Sequence, residues 1–141
     1  MANNKFQPLL IAIFILSAFV FIGEASVVFH EYVFHRLGMN RNFVLSILWF
    51  APLIAAYLLV LLAKRYVFWQ LIFCILFIAI VGSGSHYLMG LLGFTIDFEG
   101  WSGLKVVFKI YLLLGGGITL LGSLIALGHL KLKGETNGGL K

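Results

Sequence analysis

Four long apolar blocks limit what this chain can become: about Pro8 to Phe29, Phe43 to Ala63, Val67 to Gly90 and Val106 to Gly128. An α-helix rises about 1.5 Å per residue, so some twenty residues cross a hydrocarbon core of about 30 Å. The apolar residues come as continuous runs, without the spacing of a half-buried helix or strand, and such runs read as membrane spans. The connections "RLGMNRN" and "KRY" are short, and sequential spans joined by short loops pack as antiparallel neighbours. The expected fold is an all-α integral membrane protein, an antiparallel four-transmembrane-helix bundle forming one membrane domain over 1–141. Residues 94–105 read as a loop lying on the outer surface, with Asp97, Glu99 and an interfacial Trp101. Residues 129–141 read as a frayed, disordered basic tail.

Composition agrees with the spans. With 62% hydrophobic and 11% charged residues, the chain has too little polar surface to cover a soluble globule. The net charge of +5 sits singly or in pairs at the ends of the apolar blocks, where basic residues anchor spans and set orientation. That placement argues against nucleic acid as a partner, because no basic stripe with interleaved aromatics exists outside the spans. With the N-terminus inside, Lys5, Lys64, Arg65, Lys131, Lys133 and Lys141 are cytoplasmic, and Arg36, Arg41, Lys105 and Lys109 are on the outer side. The bias favours N-in and C-in, and suits a bacterial inner membrane. The single cysteine, Cys74, lies inside the third block and is expected to be a small buried hydrophobe. "KFQPLLIAIFILSAFVFIGEAS" competes as a cleavable signal segment ending near Gly23–Ala25, but its apolar core is long and apolar residues resume with "VVF".

The unusual stretch is "IGEASVVFHEYVFHRLGM", residues 22 to 39. If the first helix continues to His35, then Glu24, Glu31 and His35 share one stripe, at about 100° per residue. A charged carboxylate in hydrocarbon is expensive, so Glu24 should face the bundle interior. An intramembrane carboxylate is a functional hypothesis by default, so Glu24, with Glu31 behind it, is the proton or cation candidate. The alternative is a neutral Glu hydrogen-bonded to a neighbouring helix. For Glu31 and His35, ordinary decoration of a helix end at the headgroups is the stronger expectation.

His86, near the end of the third block, approaches the side that carries His35. Each has a methionine close in sequence, Met39 and Met89. Imidazole with thioether suits Cu(I), and a facing pair of histidines suits a haem iron. The simpler account is two gap-filling methionines beside interfacial histidines, so no cofactor is the first expectation. "HEYVFH" resembles the first histidine box of membrane hydroxylases, but the further boxes those enzymes need are absent. "GSGS", Gly82 to Ser85, either opens the helix onto a cavity or lets a neighbour pack closely; the second is favoured.

The fourth block carries a face of small residues: Gly115, Thr119 and Ser123 every four residues, with Gly122 and Ala126 adjoining. Ala51 and Ala55 are spaced alike in the second block, where Pro52 is expected to kink the helix. Such faces admit another helix, whether from this chain, a second copy or another membrane protein.

No nucleophile–base–acid set and no nucleotide fingerprint is present, so no enzymatic activity of its own is expected. Three functions remain, in this order. The first is an accessory subunit, assembly factor or immunity-type protein working through intramembrane contacts. The second is a small proton-coupled transporter built on Glu24. In size, span count and a Glu in the first span the chain is similar to the small multidrug transporters, although their later Gly/Pro/Trp signature is missing. The third is a copper or haem protein with His35 and His86 as ligands.

Overall fold

Every apolar block forms helix. The computed structural model describes residues 6–28, 36–38, 40–64, 67–93 and 100–134, all of them in helices, turns or short connections. The helices are α1 (Gln7–Val28), α2 (Arg41–Leu48), α3 (Phe50–Ala63), α4 (Phe68–Leu91), α5 (Gly100–Ile110) and α6 (Gly116–Leu132). A π-helical turn, Tyr111–Gly115, joins α5 to α6 without a break. Four helical stretches, Gln7–Ser26, Ser46–Ala63, Phe68–Leu91 and Gly100–Leu132, are long and apolar enough to cross a membrane.

Local chemistry explains the interruptions. Pro52 has no N–H to give the carbonyl of residue 48, and the second span breaks into α2 and α3 at Trp49. The expected kink is therefore a break, three residues before the proline. α3 stops at Lys64, which takes left-handed backbone (φ 52°) and donates its N–H to the Leu61 carbonyl. α4 stops at Gly93 (φ +77°), whose N–H reaches the Gly90 carbonyl at 3.1 Å.

Two expectations are corrected. The fourth span begins at Gly100, so 100–105 is helix and not surface loop; Trp101 stacks on Tyr87 of α4 with ring centroids 5.7 Å apart. At the other end the helix runs on to Leu132, and what was expected to fray is docked: Leu130 is fully buried and His129 is bonded to α3. Residues 94–99 and 135–141, and with them Asp97 and Glu99, lie outside the described residues.

The core lies where α1, α3, α4 and α6 meet, around Leu16, Leu59, Leu71, Ile78 and Leu130. α3 and α6 make the most extensive contact. They cross at Gly122, where an added Cβ would collide with the Leu53 carbonyl oxygen and stand 3.0 Å from the Leu53 Cα. α4 packs on the fourth span through Gly82 against the Tyr111 ring, Ile78 against Gly115 and Ile75 against Gly116. Thr119 returns its hydroxyl to the Gly115 carbonyl at 2.7 Å, which lets a polar side chain stay buried. The outward faces are as apolar as the core, with Phe14, Phe21, Trp69, Leu113 and Leu124 all exposed.

Candidate functional site

Glu24 stands near the end of α1 on the stripe that carries Ala12, Leu16 and Val20 into the core. The sequence places it there because a carboxylate on a span must turn from lipid toward protein. It is 5% exposed and is the one acidic residue among those described. Its Oε2 lies 3.7 Å from Nδ1 of His86, near the end of α4. That separation is an ion-pair distance, too long for a hydrogen bond, and Oε2 has no hydrogen-bond partner among the described residues. The His86 side chain is 33% exposed, so it connects the buried carboxylate to the outside of the bundle.

One helical turn deeper, aromatic rings close the site. Phe19, Trp49 and Tyr111 meet with centroids 5.2, 6.3 and 5.8 Å apart for Phe19–Trp49, Phe19–Tyr111 and Trp49–Tyr111. Gly82 makes this possible: a Cβ there would stand 2.8 Å from the Tyr111 ring. The floor lies roughly 6 Å from Glu24 and His86, four or five residues along their helices. Tyr111 also opens the π turn, a wide helical turn that is frequent at functional sites.

Glu24 and His86 place a carboxylate beside an imidazole inside the bundle. With one proton between them the pair is neutral overall, as Glu⁻/His⁺ or as GluH/His. Losing that proton leaves one negative charge inside the bundle, and gaining a second leaves one positive charge. A site of low dielectric disfavours both departures.

The other candidates separate clearly. Glu31, His35 and Met39 lie outside the described residues. Met89 is half-buried three residues after His86. Among the described residues no three His, Cys, Asp or Glu side chains come together. The "GSGS" stretch stays helical; Ser83 donates to the Ala79 carbonyl at 2.5 Å, and Gly82 serves close packing. Of the small-residue faces, Gly115, Thr119, Gly122, Ser123 and Ala126 are buried, as is Ala55, while Ala51 is half-buried. Gly115 and Gly122 meet residues of α3 and α4 or the turn between α2 and α3, so this face is used within the chain.

Two pairings are not legible from the sequence alone. One is Glu24–His86. The other joins the Tyr57 hydroxyl of α3 to Nδ1 of His129 on α6 at 2.5 Å. The signals were present: His86 follows Gly82 by four residues, and His129 continues the run Gly115, Thr119, Gly122, Ala126 by three. Comparison with protein-family models, with curated proteins and with solved structures gives no match for this chain.

Proposed function

We propose that this is a small proton-coupled membrane transporter in which Glu24 and His86 form the proton-binding site. The observation that carries the proposal is the buried Glu24 carboxylate, 3.7 Å from a partly exposed His86 and, among the described residues, without a hydrogen-bond donor to Oε2. Deprotonation leaves one uncompensated negative charge there, and a monovalent cation is the species that offsets it. The substrate class is accordingly cationic, exchanged against a proton, and His86 is the route by which the proton reaches Glu24. The proposal includes an antiparallel bundle with both termini cytoplasmic, in a bacterial inner membrane. The pairings of Gly82 with Tyr111, Ile78 with Gly115 and Ile75 with Gly116 support the antiparallel arrangement. Lys64, Lys131 and Lys133, at the ends of α3 and α6, support the orientation.

The test uses the purified chain in proteoliposomes loaded with a pH-sensitive dye and challenged with sodium, potassium or ethidium. Wild-type protein should move protons in response to at least one of them. Glu24→Gln should move none while keeping its helical signal and unfolding midpoint. A wild-type chain that responds to no cation, or a Glu24→Gln variant that responds like wild type, refutes the proposal. Gly115 and Gly122 of the small-residue face meet the chain's own helices, so these two glycines do not by themselves argue for an external partner.

A further inference from the structure

The apolar helical stretch Gly100–Leu132, 33 residues, is longer than a membrane requires. At about 1.5 Å per residue it measures roughly 50 Å, against a hydrocarbon core of about 30 Å. From Ile110 to Leu132 alone it still covers roughly 34 Å. The excess is α5, where Trp101, Lys105 and Lys109 recur every four residues and so share one stripe. With Ile110–Leu132 filling the hydrocarbon core, these three residues would fall at headgroup level, the natural depth for tryptophan and for lysine on an apolar stem. Both lysines are exposed, and neither has an ion pair among the described residues.

Two apolar grooves meet at Lys109. One, of about 670 Å³, runs between α4 and α5, floored by Ile80 and Gly84 and walled by Phe108 and Leu112. The other, of about 500 Å³, follows Ile110, Leu113 and Leu114 on the far side of Lys109. Gly84 keeps the first groove open: a Cβ there would meet nothing within 4 Å. Both apolar linings continue past the lysines toward the membrane centre.

We propose that α5 is a binding site for an anionic phospholipid, its phosphate held between Lys105 and Lys109 and one acyl chain lying in each groove. Charge complementarity selects this occupant. Two cations one helical turn apart match a phosphate carrying net negative charge. A zwitterionic lipid brings its own cation to the same place and loses the advantage. The apolar grooves distinguish a whole lipid from a free phosphate, because only the lipid fills them.

Native mass spectrometry of the full chain tests this, from micelles doped with equal amounts of dioleoyl phosphatidylglycerol and dioleoyl phosphatidylcholine. The wild-type chain should retain phosphatidylglycerol at least about tenfold over phosphatidylcholine. Lys105→Gln with Lys109→Gln should weaken that retention by about 30-fold, the value of two lysines at a charged surface. The corresponding double arginine variant should keep it, and Lys131→Gln with Lys133→Gln should leave it unchanged. Gly84→Leu, which fills the groove and keeps both charges, should also release the lipid. Glycerol phosphate at the same concentration should not displace it. Equal retention of the two lipids overturns the proposal, as does undiminished retention in the double glutamine variant. So do loss in the Lys131/Lys133 variant, retention in Gly84→Leu, displacement by glycerol phosphate, or a second copy of the chain bound in place of lipid.

Discussion

Replacing Gly122 by alanine adds one methyl group at the point where α6 crosses α3. The new Cβ would run into the Leu53 carbonyl oxygen and sit 3.0 Å from both the Leu53 Cα and its carbonyl carbon. These are backbone atoms, so no side chain can swing away, and the helices must separate by roughly 1 Å to reach normal contact. In lipid the hydrophobic effect does not hold helices together, and close packing does, so the lost contact is not recovered elsewhere. Overpacking of this kind costs about 1–3 kcal/mol, and alanine returns about 1 kcal/mol of helix propensity. With backbone as the obstacle, the upper part of that range applies and the net loss is about 2 kcal/mol. The same substitution at Gly117, five residues earlier, meets nothing within 4 Å. There only the propensity term acts, and the protein should gain about 0.5–1 kcal/mol. Equilibrium unfolding in mixed micelles, followed by circular dichroism, reads both variants on one scale. The reasoning fails if Gly122→Ala unfolds at or above the wild-type midpoint, or if Gly117→Ala loses as much as Gly122→Ala. The pair of variants also separates packing within the chain from contact with a partner, since both act on the isolated protein.

Removing His86 leaves the Glu24 carboxylate buried without its partner. His86→Ala should lower stability at neutral pH by about 2 kcal/mol, below the range for fully buried pairs because His86 is partly exposed. Adding Glu24→Gln, which removes the carboxylate charge altogether, should recover most of that deficit. A cycle with no coupling between the two positions, measured by the same unfolding assay, contradicts the pairing. Tyr57→Phe should cost about 0.6–1 kcal/mol by deleting the hydrogen bond to His129 at 2.5 Å. An unchanged unfolding midpoint would place that bond outside the stability of the α3–α6 contact.

How far the sequence speaks can be seen residue by residue. Glu24 was expected to face the interior, and it does, because the cost of a carboxylate in lipid is a property of the side chain and the bilayer alone. Cys74 is buried as its position in the third block implied. The interruption near Pro52 follows from a missing N–H, a purely local fact. The start of α5 at Gly100 is not legible in sequence, because "GWSGLK" mixes glycine, serine and lysine like a loop. Its stripes, with Trp101 on Tyr87 and two lysines outward, appear only once α4 lies beside it.

By itself, then, the sequence determined how many apolar spans there are, that Pro52 interrupts the second and which carboxylate turns inward. Each of these depends on length, composition or one residue's chemistry against a bilayer. Tertiary structure alone decided that Glu24 meets His86, that His129 meets Tyr57 and that Gly122 receives the backbone of Leu53. Hydrophobicity, the signal that tells inside from outside in a soluble protein, is silent here. Leu16 is buried and Phe14 exposed, yet both suit their surroundings, because lipid and core are equally apolar. Which face of each helix turns inward is therefore set by shape and by a few polar atoms, and those act only when the helices are already side by side.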